Sequence, residues 1–351
     1  MVTGGRNSNA TPAQSPNVVR HFIGTLQYFK DMKRQVLTYL TLLIISACGT
    51  KVPIQKNLTF SEKTINVPEI FAEGVISVKD INVFNFAFTN NDRTIYFTRR
   101  QGNEKQKIYF TNFENNKWTE PKIASFSTDR DENPFITQDG KTLYFGSQRP
   151  IPNRQNKGSF DMNIWKTEWK NGKWSELTSL NETINQVQIE KEEWPSSNQN
   201  SIFTNDGLNF YFATMIRGTK IIEMFQTKQI KGVFSKPIKI DNLFKDDKYW
   251  KSTPIISPDG KYLIFNAYGT PDGKGGEDIY VSQKTENGWS LAKNIGELIN
   301  TTAEEAGARF SKDGKYFFFT RENKKNNEQD GIWSIYYLET KYLQFEKLFN
   351  K

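Results

Sequence analysis

From residue 83 onward, apolar and polar positions alternate with a period of two over short runs, and tight polar turns separate the runs. That pattern predicts β-strands joined as hairpins. One unit recurs five times. It reads ENPFITQDGKTLYFGSQR from Glu132, STPIISPDGKYLIFNAYG from Ser252 and GARFSKDGKYFFFTRE from Gly307, with weaker copies FNFAFTNNDRTIYFTRR from Phe84 and NSIFTNDGLNFYFATM from Asn200. Each unit is a short apolar segment, a turn and an alternating aromatic segment. The turns are Asp139-Gly140, Asp206-Gly207, Asp259-Gly260 and Asp313-Gly314, with Asn91-Asp92 in the first copy; glycine there supplies the positive φ of a hairpin turn. The aspartates Asp92, Asp139, Asp206, Asp259 and Asp313 are 47, 67, 53 and 54 residues apart, a period that signals stacked or radial repetition.

A second strand pair follows each hairpin. Its inner member carries Ile108-Tyr109, Ile164-Trp165, Ile279-Tyr280 or Ile332-Trp333, and its outer member starts at Trp118, Trp174, Phe234, Trp289 and Tyr342. A four-stranded sheet with aromatic faces cannot bury both faces alone, so successive units must pack face to face, and a ring removes the unprotected ends. The expected fold is all-β: a single β-propeller of four-stranded blades over 61–351, with five blades favoured and six the alternative. The blades fall at approximately 83–130, 131–194, 195–250, 251–303 and 304–351. Two strands compete to close the ring. Val67-Pro68-Glu69-Ile70 resembles the outer-strand segment Glu120-Pro121-Lys122-Ile123, and Tyr342 to Leu348 offers a C-terminal strand; the loser is expected to lie on the surface as an arm.

The repeats lack the Gly-His pairs of WD40 blades, and the only Gly-Gly doublet in this region, Gly275-Gly276, does not make a kelch pattern. Sialidase Asp-boxes are absent as such. The signature P-x-x-S-P-D-G-K-x-[LI]-x-F is nearly complete from Pro254 to Phe265, and in it the units resemble the TolB-like, WD40-like β-propeller repeat family. The resemblance spans roughly residues 83 to 340, closely in three units and less so in two. It implies partner binding without catalysis.

Composition adds an address. Aromatic residues make up 14% of the 351-residue chain, which has one Cys and one His, and packing must stabilise it without disulfides. The formal charge is +8, but five basic residues (Arg6, Arg20, Lys30, Lys33, Arg34) stand against Asp31 within the first 48 positions, so half of it lies there. The mild balance elsewhere, with both signs interspersed, does not suggest a nucleic-acid surface. Met32-Lys33-Arg34, the apolar run Val36 to Ile45 and Ser46-Ala47-Cys48 resemble a bacterial lipoprotein signal, with Ile45-Ser46-Ala47-Cys48 as the lipobox. The run is too short to span a bilayer. Residues 1–31 are then an upstream extension expected to be disordered, 32–48 the signal peptide with Cys48 as the lipidation site, and 49–60 a linker. Gly49 lacks the aspartate of the inner-membrane retention rule, so the resemblance implies a lipid anchor in the outer membrane, facing the periplasm.

In such a blade the Asp-Gly turns share one end of the propeller with the Asn-Gly turns. The other end receives the longer loops, Arg149 to Ser159 and Tyr268 to Glu277, and the linkers between blades, and binding residues should gather there. Acids recur in the linkers (Asp131, Glu132, Glu192, Glu193, Glu304, Glu305) and arginines just after the second strands (Arg99, Arg149, Arg217, Arg321). They could form a ring that grips a polar ligand or could staple adjacent blades. Trp250 and Trp194 lie out of repeat register in linkers and are further contact candidates, whereas Trp118, Trp174 and Trp289 recur in register and read as blade packing. The Asp272 to Asp278 loop misses the acid spacing of a calcium loop and reads as a flexible, solvated loop. No cofactor and no metal site is expected, and the lack of His and Cys in the body removes triads and thiol nucleophiles. The functional expectation is a non-catalytic envelope lipoprotein that binds or scaffolds a protein or peptidoglycan-linked partner through its charged loop-bearing face. The alternative is a glycan-acting hydrolase using paired carboxylates.

Overall fold

The computed structural model describes residues 60–89, 91–152, 162–186, 198–203 (backbone alone), 209–216, 219, 221–246, 248–324 and 331–350. The fold is an all-β, five-bladed propeller. A short strand β1 (Glu69–Ile70) precedes the first blade. Blade 1 comprises β2 (Ile81–Phe88), β3 (Thr94–Gln101), β4 (Lys107–Glu114) and an outer strand in two pieces, β5 (Lys117–Trp118) and β6 (Lys122–Ile123). Blade 2 repeats this with β7 (Asp131–Ile136), β8 (Thr142–Ser147), β9 (Asn163–Lys170), β10 (Lys173–Trp174) and β11 (Thr178–Ser179). Blade 3 has β12 (Asn198–Phe203), β13 (Asn209–Met215), β14 (Ile222–Ile230), β15 (Val233–Phe234) and β16 (Ile238–Lys239). Blade 4 has β17 (Trp250–Ile256), β18 (Tyr262–Tyr268), β19 (Glu277–Thr285), β20 (Gly288–Trp289) and β21 (Lys293–Asn294). Blade 5 has β22 (Glu305–Phe310), β23 (Tyr316–Asn323) and β24 (Ile332–Glu339), and its outer strand is β1.

The repeat signature is turn chemistry. The Asp139, Asp259 and Asp313 carboxylates each accept a hydroxyl hydrogen bond (from Thr137, Ser257 and Ser311) and the backbone N–H two residues on. Gly140, Gly260 and Gly314 follow with φ near +70°. In blade 1 the register differs from the sequence expectation by one residue. Asn91 takes the capping place, accepting from Thr89 Oγ1 at 2.7 Å, and Asp92 takes the glycine place with φ of 55°. Outer strands are fastened by a hydroxyl on the third strand. Thr111, Thr167, Thr227 and Ser282 donate to the carbonyls of Thr119, Ser175, Ser235 and Ser290, the residue after each outer aromatic.

The first strands neighbour one another in ring order, and each carries one register shift near its start, as between Glu132 and Phe135 or Ala306 and Arg309. The bulges turn polar side chains toward neighbouring blades. Asn85 donates from Nδ2 to Asn133 Oδ1, and the Asn133 amide donates to Thr98 Oγ1 at 2.9 Å. Gly307, with φ of 63°, has no room for a Cβ against Asn85 Oδ1.

Closure uses β1, which pairs antiparallel with β24 (Glu69 opposite Tyr337). The C-terminal tail does not supply the outer strand, so Tyr342 does not start one. Instead a 3-10 turn, Thr340–Tyr342, leads to α1 (Phe345–Phe349), whose Phe345 packs on Tyr262 and Phe317 of blades 4 and 5. The reason is local: Phe71 of the β1 segment is 2% exposed and meets Phe60, Phe88, Trp118, Phe318 and Tyr337, bridging blades 1 and 5. Replacing Phe71 by Ala is expected to cost ~3–5 kcal/mol, read as a shift in the urea midpoint; a loss under ~1 kcal/mol would mean that the seam closes without it.

At the turn-bearing end the seam is crossed again. Asp92 is buried, and its carboxylate accepts the Lys312 amide of blade 5. Burial pushes the Asp92 carboxyl up to about 6, with the Lys312 amide pulling the other way. The folded protein thus holds this proton more tightly than the unfolded chain, and stability falls as pH rises from about 4 to about 6, staying lower above that. Asp92→Asn keeps an acceptor oxygen and a residue tolerant of positive φ. It is expected to stabilise by ~2–3 kcal/mol at pH 7 and by almost nothing below pH ~4, measured by denaturant unfolding at both pH values.

Candidate functional site

The charged residues singled out by sequence divide into those described and those not. Cys48, Glu192, Glu193, Trp194 and Arg217 lie outside the described residues. Of the rest, Asp131 and Glu305 sit at the first positions of β7 and β22, fully buried. Arg149 Nη2 donates to both Asp131 oxygens at 2.8 and 3.0 Å and to the Phe126 carbonyl at 3.1 Å; Arg149 Nε donates to Ser147 Oγ. Arg321 Nε donates to Glu305 at 2.7 Å, and its Nη2 to the Ile299 carbonyl at 2.7 Å. Arg99 has no acid opposite it and donates to the carbonyls of Val75 and Ile76. All three guanidinium groups therefore tie a blade to the linker that enters it. Each also stacks on aromatic rings, Arg321 over Phe319 and Tyr336, Arg149 over Phe145 and Trp165, Arg99 over Phe97 and Tyr109. Burial lowers the Arg99 guanidinium pKa and raises that of the Glu305 carboxyl, the latter against the pull of its Thr301 and Arg321 partners.

The acid–arginine pairs lie within one blade, whereas a pair that sequence reasoning missed joins two blades. Lys251 of β17 and Glu223 of β14, both buried, meet at 3.1 Å across blades 4 and 3. Lys251 occupies the strand position of Asp131 and Glu305 with the opposite sign. Linker polar groups were also missed: Ser127, Asn185 and Asn300 side chains accept the amides of Ile108, Ile164 and Ile279, and Ser77 does the same for Ile335 across the seam. The Ile184-Asn185 and Ile299-Asn300 doublets were a visible signal for two of them.

What remains on the loop-bearing end is different in kind. Trp250 and Tyr268 face each other across β17 and β18, 45% and 54% exposed, with ring centroids 6.2 Å apart. Glu304 lies half-buried beside Gly276 and Tyr268, its carboxyl pushed up by burial and by Glu322. The Asp272 to Asp278 loop is not a loose one: Asp278 accepts the amides of Lys274 and Gly275, and Gly275 packs so closely on Ala303 that no Cβ fits. Trp174 donates from Nε1 to Tyr96 Oη of blade 1 at 2.8 Å, a packing role.

Between blades 1 and 2 a cleft of about 330 Å³ is lined by Arg100, Lys105, Gln106, Arg130 and Gln148 among others. A pocket of about 150 Å³ that shares Gln106 adjoins it, lined by Phe84, Asn85, Thr98, Glu132 and Asn133. Glu132 meets Arg130 Nη2 at 3.4 Å; burial pushes its carboxyl up, while Arg130 and Arg100 pull it down. Arg100 and Arg130 were not among the sequence candidates, for neither sits at a repeated position. A third cleft, about 610 Å³, lies between blades 3 and 4 with Ile238, Asp241 and Trp289 in its walls. Among the described residues no group of three or more His, Cys, Asp or Glu gathers to hold a metal, and no helix is long and apolar enough to cross a membrane.

No family model matches the sequence, and no curated protein does. Solved structures do. The catalytic domain of a Coprinopsis cinerea GH62 α-L-arabinofuranosidase aligns with a TM-score of 0.51 at 11% identity, over 79% of this chain and 98% of that one. TolB from Acinetobacter baumannii aligns at 0.45 and 14% identity over 74% of this chain, which spans only 54% of TolB's length. A putative TolB from Agrobacterium tumefaciens aligns at 0.43 and 15%, covering 73% and 74%. The class defined is that of the β-propellers. At these identities the likeness extends to the fold and no further.

The Arg149–Asp131 pair gives a test of the structural role. Arg149→Leu leaves a fully buried carboxylate without its cation and is expected to cost ~3–5 kcal/mol. Adding Asp131→Asn should return part of that loss, so a double-mutant cycle in urea reads a coupling; purely additive losses would count against the pairing.

Proposed function

We propose that this chain is a non-catalytic binding module of the cell envelope, lipid-anchored at Cys48 in the outer membrane and facing the periplasm. Its propeller takes a protein or peptidoglycan-linked partner on the loop-bearing end. The observation that carries this reading is what that end leaves unused. The buried acid–arginine pairs are consumed in holding linkers, while Trp250 and Tyr268 stand exposed. Tryptophan, tyrosine and arginine are the residues that concentrate binding energy at protein interfaces. The anchor and address rest on the signal-like residues Met32 to Cys48.

A glycan hydrolase needs two carboxyl groups facing each other across the scissile bond. Among the described residues, the cleft between blades 3 and 4 is lined by a single carboxylate, Asp241, and in the joined cleft and pocket between blades 1 and 2 Glu132 is held by Arg130, which favours binding over that chemistry. The test is crosslinking of the full chain in intact cells. Trp250→Ala with Tyr268→Ala is expected to remove most of the crosslinked product, and Val233→Asp on the turn-bearing end to leave it unchanged. Equal loss from both, or loss from neither, would sink the reading.

A further inference from the structure

A guanidinium group buried in a protein normally finds acceptors for its donors. Arg149 shows the usual state, with Asp131, Phe126 and Ser147 around it. Two arginines in the cleft between blades 1 and 2 depart from it. The side chain of Arg100 makes no hydrogen bond to any described residue and rests on the Phe84 ring at 5.5 Å, with its Nε buried and unpartnered. Arg130 has a buried, unpartnered Nε too, and among the described residues its one side-chain bond is the 3.4 Å contact to Glu132. The adjoining pocket holds a third unmet group: Asn85 Oδ1 is buried with no donor.

We propose that this cleft is a recognition site for a carboxylate-bearing ligand, with Arg100 of blade 1 and Arg130 at the entry to blade 2 as its paired donors. The charge argues for a carboxylate. The charged residues lining the cleft and its adjoining pocket, Arg100, Lys105 and Arg130 against Glu104 and Glu132, sum to plus one when all are ionised, which one monoanion neutralises, whereas a phosphate dianion would leave a surplus negative charge. Planar, forked donors also match a carboxylate's two oxygens. The pocket beyond Gln106 sets the rest of the ligand. Asn85 Oδ1 asks for a donor, so the ligand carries a hydroxyl or ammonium group close to its acid. Burial raises the Glu132 carboxyl, which eases an anion's approach. Two sources present this chemistry, a free small acid and an acidic side chain of a protein. The site deepens the binding reading above and rests on its loop-bearing end, although it uses different residues from Trp250 and Tyr268.

The experiment is titration calorimetry of the full chain with four probes: L-glutamate, its dimethyl ester, a blocked tetraglutamate peptide and inorganic phosphate. A carboxylate probe is expected to bind, the ester not. Arg100→Gln and Arg130→Gln should each weaken it at least ~tenfold, while Glu132→Gln tightens it by about threefold and Arg93→Gln, the same charge change on the turn-bearing end, has no effect. Binding of glutamate identifies a free acid as the source and binding of the peptide alone a protein segment; either supports the site. Phosphate binding as tightly as the carboxylates, ester and acid binding alike, no probe binding, or affinity unchanged in both arginine variants would overturn it. Circular dichroism checks the fold of each variant. If an arginine variant does not fold, Glu132→Gln, whose effect has the opposite sign, decides the matter. Crosslinking that still depends on Trp250 and Tyr268 in the Arg100→Gln protein separates failure of this site from failure of the envelope reading.

Discussion

A ring of β-sheets works only if its last blade meets its first as closely as any other pair, because an open seam would expose two aromatic sheet faces at once. Here the seam is held at three heights. At the outer edge β1 completes blade 5, and Phe71 fills the space between Trp118 and Tyr337. Near the axis, Arg309 of β22, buried and with its pKa lowered to about 10, donates to the Phe86 carbonyl of β2. At the turns, Asp92 accepts the Lys312 amide. A cation and an anion are thus both buried at the seam against backbone groups, which costs desolvation that only the large apolar contact of the closed ring offsets. Stability at this seam is a property of the whole ring, not of blade 1 or blade 5.

The same constraint governs where charge can be used. Each blade must receive a linker crossing from the outer edge of its predecessor to the axis, and that linker carries backbone carbonyls into a closely packed place. Arg99, Arg149 and Arg321 meet those carbonyls, and Asp131 and Glu305 neutralise two of the arginines. Repetition of these residues is therefore a sign of assembly. Repeat architectures place at equivalent positions whatever every interface needs.

How far this was visible in the chain depends on the range of the interaction concerned. Asp-Gly turns, alternating aromatics and the outer tryptophans are local, so five blades and their strand order could be read from them. Closure could not: Glu69-Ile70 and Tyr342 to Leu348 both look like an outer strand, and the choice is made by Phe71 and Phe345 fitting different gaps. The one-residue offset at Asn91 and Asp92 escaped because Asn can cap and Asp can take positive φ, so both assignments are chemically sensible. Glu132 was picked out for its linker position and does line a pocket. Asp131 and Glu305, alike in type, are buried instead, and composition carries no sign of that difference. Arg99 and Arg100 make the point sharply. They are adjacent and identical, yet alternation sends one into the carbonyls of Val75 and Ile76 and the other to Phe84 and the cleft.

Blade 1 is where the repeat departs most from its own rule, and the departure has a structural origin. Its incoming linker is the segment after β1, which belongs to the closing blade, and the strand position filled by Asp131, Lys251 and Glu305 elsewhere is Val83 here. With no buried acid to neutralise it, Arg99 donates through Nη2 to carbonyls alone, its Nε left without an acceptor, and the next acid along the rim is Glu132 of blade 2. Arg130 reaches that acid only at 3.4 Å, and Arg100 bonds to no acid among the described residues. Positive charge is therefore left over on one side of the ring, next to a cleft, because the closing blade changed the contacts its neighbour could make. In a fold whose copies satisfy one another, an unmatched donor pair is the place where something from outside can be bound with specificity.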